Sequence, residues 1–243
     1  MKLFADYHTH TIYSHGKGSI MDNVIAARKM GLKEIAITDH GIRHFTFGVK
    51  LRDIMKMREE IDRINTCCQD VKVLLGLECN IISTEGDIDI YDSVMKYLDI
   101  LLVGYHMMVL PKNIKEAIKI YGKNYTEKLL PGLIRGVRES NTEAMIRAIG
   151  KYDIDIITHP GARINIDTTE VAKAASRAGT AMEINSHNNK MSVDFVKAAA
   201  VEGVMFAINS DAHKPDDVGN LAYGVKIAEQ AGLNSTQIIN AVK

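Results

Sequence analysis

Nine residues of this chain have the types and spacing to hold divalent metal ions: His8, His10, His15, His40, Glu78, His106, His159, Asp211 and His213. The first two follow the apolar run Leu3-Phe4-Ala5-Asp6-Tyr7. Alternate side chains of a strand point the same way, so the i, i+2 pair reads as a bidentate metal clamp at the mouth of a first β-strand. His15 lies in the loop that follows. His40 ends Ala36-Ile37-Thr38-Asp39, and Glu78 ends Leu75-Gly76-Leu77. His106 follows Val103-Gly104-Tyr105, His159 follows Ile157-Thr158, and Asp211 and His213 follow Ile208-Asn209-Ser210. A further run ends Met182-Glu183-Ile184-Asn185, which is polar but offers no evident ligand. Seven of the nine histidines thus sit at or just past the end of an apolar run. Buried imidazoles and carboxylates are unfavourable unless paired or bound to metal, so this concentration points to a metal centre.

Nine ligand groups exceed the needs of one ion. A catalytic zinc takes three protein ligands and keeps an open position, so the set suits two or three ions. Imidazole and carboxylate without thiolate favour Zn²⁺, with Mn²⁺ or Fe²⁺ as alternatives. Neighbouring ions of this kind activate water and hold phosphate oxygens as Lewis acids, which suits phosphoester hydrolysis.

The elements that must position these residues alternate along the chain. Short β-branched runs at 3–7, 34–38, 71–77, 99–104, 155–158, 180–184 and 204–209 read as seven strands. Helical stretches lie between them. Ser19 caps one that stops at Gly31, and 50–65 forms another. Asn141-Thr142-Glu143 opens one that runs to about residue 149. Thr168 or Thr169 caps one that stops at Gly179, and Ser192 caps one that stops at Gly203. A tail helix covers 217–231, and Asn234-Ser235 caps a last short one. The alternation predicts an α/β fold with a parallel sheet covered on both faces, and its polar residues gather at the strands' C-terminal ends. A closed barrel suits them better than an open sheet, because closure brings every strand end to one mouth. The segment 107–140 breaks the rhythm and reads as a helical insertion, with helices at 112–121 and 125–138 broken near Pro131-Gly132. Such an insertion serves as a lid or substrate wall, or merely packs.

The 243 residues suit a single domain over 1–243. Lys+Arg and Asp+Glu are both 30, so net charge is zero and there is no broad polyanion surface. That disfavours a nucleic-acid partner without excluding a local basic patch. No apolar run is long enough for a signal peptide or a membrane span, so the expectation is a soluble, cytoplasmic protein with no membrane partner. Cys67, Cys68 and Cys79 make no disulfide framework and no C-x-x-C pair. Gly16-Lys17-Gly18-Ser19 lacks the spacing of a nucleotide-triphosphate loop. Arg163, with its fork of donors, and Lys17 are candidates to contact a substrate phosphate, with Arg43, Lys190 and Lys214 weaker ones. His44 and His187 read best as ordinary loop histidines. Asp6 and Asp39 read either as acceptors orienting a metal-bound histidine or as solvated strand-end carboxylates. The oligomeric state is not set by the sequence.

The motifs His8-Thr9-His10, Thr38-Asp39-His40-Gly41, Gly76-Leu77-Glu78, Gly104-Tyr105-His106, Thr158-His159-Pro160-Gly161, Glu183-Ile184-Asn185 and Ser210-Asp211-Ala212-His213 occur in that order. Together they resemble the PHP (polymerase and histidinol phosphatase) superfamily of metal-dependent phosphoesterases. Within it, the chain looks closest to the stand-alone trinuclear-zinc phosphatase branch. The resemblance implies a distorted (β/α)7 TIM-like barrel with three zinc ions at the C-terminal mouth of the strands. It implies that His8, His10, Glu78 and Asp211 hold one ion. Glu78 then bridges to a second, completed by His106 and His159, while His15, His40 and His213 hold the third. It further implies a hydroxide bridging the ions as nucleophile, with Glu78, Asp211, His106 and His159 as the catalytic set. The substrate implied is a phosphomonoester of a small metabolite. Alternatives are a phosphodiesterase or 3′–5′ exonuclease, a histidinol-phosphate phosphatase, and a non-catalytic, metal-stabilised binding or regulatory barrel.

Overall fold

The β-branched runs become seven parallel strands: β1 (Ala5–Asp6), β2 (Glu34–His40), β3 (Lys72–Asn80), β4 (Ile100–Gly104), β5 (Ile156–Ile157), β6 (Ala181–Asn185) and β7 (Phe206–Asn209). The structure is a computed structural model, and it describes residues 1–106, 108–122, 124–126, 134–162, 164–187 and 192–243. The strands pair in chain order, each with the next. The helices are α1 (Ile20–Lys29), α2 (Leu51–Cys67), α3 (Asp92–Met95), α4 (Ile114–Ala117), α5 (Ile134–Lys151), α6 (Thr168–Ala178), α7 (Val193–Val201) and α8 (Ala222–Gln230). None among the described residues is long and apolar enough to cross a membrane.

Local signals set most boundaries. Ser19 caps α1 in a reciprocal box, accepting the Asp22 N–H at 3.1 Å while the Asp22 carboxylate accepts the Ser19 N–H at 2.8 Å. Gly31 follows α1 at φ +76° and Gly179 ends α6 at φ +77°, conformations that glycine adopts without a Cβ clash. Ser192 caps α7 as its spacing predicts. Three expectations fail. The tail helix, expected over 217–231, starts only at Ala222, with a separate 3-10 turn at Pro215–Asp217 before it. α6 is capped by Asp167, one residue ahead of Thr168. More substantially, α5 runs straight through Asn141 instead of starting there. Asn141 is buried, and its amide bonds the Asn124 side chain (2.9 Å) and the Asn165 carbonyl (3.0 Å). The Thr142 hydroxyl donates one turn back to the Arg138 carbonyl. These polar groups tie a continuous helix to its neighbours, and their composition mimics a cap. In the insertion, α4 runs on into a π-helical turn, Ile118–Gly122. Pro131-Gly132 lie outside the described residues.

The seven-strand sheet closes on itself by two devices. At the C-terminal end, Thr9 and Ala212 form an isolated parallel bridge, with the His10 N–H bonded to the Ala212 carbonyl (2.8 Å). At the other end, the last residues wedge between β7 and β1, where Phe206 bridges Ile238 and Leu3 bridges Ala241. Asn240, fully buried, completes this seam. Its amide donates to the Ala5 (2.8 Å) and Ile208 (2.7 Å) carbonyls, and its Oδ1 accepts the Ile208 N–H (3.1 Å). Asn240→Leu strands these backbone groups at the seam, each worth about 1–3 kcal/mol when left unpaired. We expect a loss of about 3 kcal/mol or more in urea unfolding; a loss under about 1 kcal/mol shows that the seam is held elsewhere.

The larger apolar cluster lies between strands and helices. The smaller one, with Ala36, Ile100, Leu102, Ile156, Ala181 and Ala207, takes alternate strand residues and fills the barrel interior. Continuing along those interior faces, the side chains turn polar at the C-terminal ends: His40 on β2, Glu78 and Asn80 on β3, Glu183 and Asn185 on β6. The interior therefore passes from an apolar floor to a mouth lined with ionisable groups.

Candidate metal centre

The mouth gathers its ligands from strands far apart in sequence. Glu78 is its hub. Glu78 Oε2 lies 3.3 Å from His8 Nε2, 3.7 Å from His10 Nε2 and 3.0 Å from His40 Nδ1. Glu78 Oε1 lies 3.3 Å from His106 Nε2 and 2.9 Å from His159 Nε2. Asp211 Oδ1 faces His8 Nε2 (3.5 Å), His10 Nε2 (3.3 Å) and His213 Nδ1 (3.7 Å). The His15 ring stacks on His40 with centroids 4.8 Å apart and meets the His213 ring edge-on at 4.2 Å. All nine residues singled out from the sequence thus converge.

Four of the positions require special backbone, Asp211 among them at φ 55°. β1 ends at Asp6, and the interior parity of Ala5 and Tyr7 would send His8 and His10 outward. The chain re-pairs at Thr9, which restores the i, i+2 relation, and the two Nε2 atoms meet at 3.2 Å. His159 is likewise out of phase with Ile156 on β5, and a φ of 30° turns it into the mouth. Beneath it Gly104 leaves space: a Cβ there would meet Thr158 Oγ1 and stand 3.2 Å from His159 Cε1.

Pairing and burial set the charges. Burial pushes the Glu78 carboxyl up, but His106, His8 and His159 outweigh it and hold it well below the carboxylate range. Asp211 is held low in the same way, against burial, by His8 and His10. Burial disfavours a charged His8, yet Glu78, Glu183 and Asp211 raise it well above the usual imidazole value. Burial and His40 push His10 well down. Burial and His213 bring His15 to about 4, and burial brings His106 to about 4 despite Glu78. The carboxylates are thus ionised and His10, His15 and His106 neutral, as metal binding requires, whereas His8 and His159, whose values are raised by Glu78 against burial, give up a proton when a cation takes their lone pairs. The Nδ1 atoms of His10 and His15 are buried with no hydrogen-bond partner. Donor atoms fall into three overlapping groups within 4.8 Å: His8, His10 and Asp211; His10, His40 and His213; His40, Glu78 and His106. The donors fit divalent cations, and His40 stands between two of the sets that the resemblance keeps separate.

Outer groups orient the ligands. Glu183, passed over in the sequence, is fully buried with its Oε1 2.7 Å from His8 Nδ1. Asn80 Oδ1 lies 2.6 Å from His106 Nδ1, and Asp89 accepts both the Asn80 N–H (2.6 Å) and its amide (2.8 Å). Asp6 and Asp39 bind no ligand ring. Asp6 accepts from the Ser210 N–H and hydroxyl and from the Gly219 N–H. Asp39 accepts from the Thr11 N–H and hydroxyl and from the Ser14 hydroxyl. Both therefore shape the ligand-bearing loops. His44, expected to be an ordinary loop residue, is buried, stacks on His40 at 4.9 Å and lines the mouth. Its sequence carried no signal, since nothing in Arg43-His44-Phe45 marks it apart. His187 is exposed, with its ring 6.2 Å from that of His213. The Arg43 guanidinium is bonded to the Leu110 and Pro111 carbonyls, so it binds backbone and not phosphate. Lys17 is exposed, and its N–H bonds the His213 carbonyl (2.9 Å). Arg163 and Lys190 lie outside the described residues.

Fold and site together define a metal-dependent hydrolase built on a seven-stranded α/β barrel. Residues 6–187 match the PHP domain model. The chain belongs to the PHP family, and it is a phosphoric ester hydrolase of that type. It is 32% identical to a probable phosphatase of Shewanella sediminis, covering 99% of this chain and 90% of that protein. A probable phosphatase of a Thermoanaerobacter species is also 32% identical, over 99% of this chain and 91% of its own length. Among solved structures, histidinol phosphate phosphatase of Lactococcus lactis, complexed with zinc, L-histidinol and phosphate, superposes with TM-score 0.66. That match covers 96% of this chain and 95% of that one at 15% identity, and so speaks to the fold alone.

Proposed function

We propose that the protein releases inorganic phosphate from phosphomonoesters of a small metabolite in the cytoplasm, using three zinc ions. His8, His10, Glu78 and Asp211 would hold one ion, and Glu78, His106 and His159 the second. His15, His40 and His213 would hold the third. When bound, the ions supply an activated water and a Lewis-acid hold on phosphate oxygens. The observation that carries the reading is the division of Glu78: Oε2 faces His8, His10 and His40, while Oε1 faces His106 and His159. A carboxylate whose two oxygens serve different imidazole sets is built to bridge. The protein's own part is to fix this geometry. Glu183 and Asn80 hold the His8 and His106 rings, and Asp6 and Asp39 hold the loops of β1 and β7. The mouth has a volume of about 240 Å³, below the usual range for drug-sized ligands, which favours a compact monoester.

The test is a phosphate-release screen across phosphorylated metabolites after chelation and reloading. Activity is expected to vanish with chelator and return with Zn²⁺ or Mn²⁺, at about three ions per chain by elemental analysis. Fewer than two ions per metal-replete chain overturns the polynuclear reading. Degradation of single-stranded DNA without release of phosphate from monoesters replaces it with a phosphodiesterase.

A further inference from the structure

The mouth has a polar floor and an apolar outer wall. The floor is the ligand set already described. The wall is formed by Phe47 and Met108, with the His44 ring beside Phe47 at 5.3 Å. Phe47 lies face to face with the His15 ring, centroids 4.4 Å apart and planes 23° from parallel, and is 39% exposed. Met108, which lines the same mouth, is 56% exposed at φ 68°. Exposed apolar side chains facing a cleft call for an apolar occupant.

The wall is built, not incidental. The loop after β2 and the segment after β4 pair antiparallel at His44 and Val109, and the Phe45 N–H bonds the Met108 carbonyl (2.9 Å). The Arg43 guanidinium clamps the Leu110 (3.0 Å) and Pro111 (2.8 Å) carbonyls. The Tyr121 hydroxyl takes the Val109 N–H at 2.8 Å. The Phe47 N–H in turn donates to His44 Nδ1 (3.2 Å), fixing the aromatic residue relative to the ring below it. Among the described residues lining the mouth there is no Lys or Arg. Beyond the floor, then, the described wall offers nothing to neutralise a second phosphate and a flat face for a ring.

We infer that the site takes monoesters whose alcohol carries a planar, uncharged ring, seated against the wall that Phe47 and Met108 share. This rests on the phosphomonoesterase reading and names the leaving group for that same site. Stacking and burial of one ring supply about tenfold in affinity.

The test compares benzyl phosphate with glycerol 1-phosphate, both primary alkyl esters, by phosphate release from the metal-loaded enzyme. The native enzyme is expected to favour benzyl phosphate about tenfold in kcat/KM, mostly through KM. Phe47→Ala is expected to erase most of that preference, and Phe47→Tyr to keep it. Loss of activity on both esters in equal proportion in Phe47→Ala means that Phe47 only props His15, and overturns the proposal. So does equal use of the two esters by the native enzyme. Hydrolysis of neither ester by an enzyme that releases phosphate from other monoesters also overturns the proposal, whereas release from no monoester in the wider screen overturns the phosphomonoesterase reading on which it rests.

Discussion

Glu78→Gln is expected to lower phosphate release by at least about a thousandfold while leaving the chain folded. The amide keeps the size of the carboxylate, so the cavity and strand pairing of β3 are unchanged. What it removes is the one group shared by both halves of the centre. An amide offers a single oxygen, and its NH₂ faces either the His8 and His40 side or the His106 and His159 side. One half of the centre then loses its oxygen from this residue and the other keeps only a neutral one; the His106 and His159 half is left with no anionic ligand, while the His8 and His10 half still has Asp211. The negative charge also goes, and with it the attraction that draws cations between buried imidazoles. We expect fewer bound ions per chain, with the His15, His40 and His213 set retaining its own. The thermal midpoint of the metal-free protein should move little compared with the loss in rate. Full activity in Glu78→Gln overturns the bridging role and with it the proposed chemistry.

The contrast between Glu78 and Glu183 also shows what a single sequence discloses. Glu78 and His40 were legible because they end long regular strands in phase with the barrel interior. Alternation alone aims them at the mouth. His8 and His10 were legible for a reason that is only partly right, because the regular strand stops at Asp6 and the bridge at Thr9 re-creates the alternation. His159 was found by its position after an apolar run, but its inward turn depends on a left-handed backbone that no local residue type announces. Glu183 was missed because its partner is 175 residues away. A glutamate on a buried strand has the same local pattern whether it orients a ligand or ends in solvent. Asn240 was invisible for the same reason, since it meets Ala5 across 235 residues. Asn141 is the converse case: a locally convincing helix start is overridden by tertiary hydrogen bonds to Asn124 and Asn165.

Glu183 should therefore act on metal affinity more than on the chemical step. Its carboxylate is completely buried and fully engaged. Oε1 meets His8 Nδ1 (2.7 Å) and accepts from the Asn209 amide (3.0 Å). Oε2 accepts the His159 N–H (2.7 Å) and the Asn185 amide (3.0 Å), and that same amide reaches Asp211 Oδ2 at 3.1 Å. Holding the proton on His8 Nδ1 leaves the Nε2 lone pair facing Glu78 and Asp211, as a ligand requires. Holding the His159 N–H supports a residue at φ 30°, where a non-glycine backbone is strained. One carboxylate thus positions His8, His159 and, through Asn185, Asp211, without offering an oxygen to the ions. In Glu183→Gln we expect metal affinity, measured by competition with a chelator, to fall about 10- to 100-fold. Activity should return toward the native level in excess Zn²⁺ or Mn²⁺, which separates this variant from Glu78→Gln, where excess metal restores nothing. Unchanged affinity would show that the His8 ring is held by its packing, and that the carboxylate at the barrel's centre serves only to satisfy its neighbours.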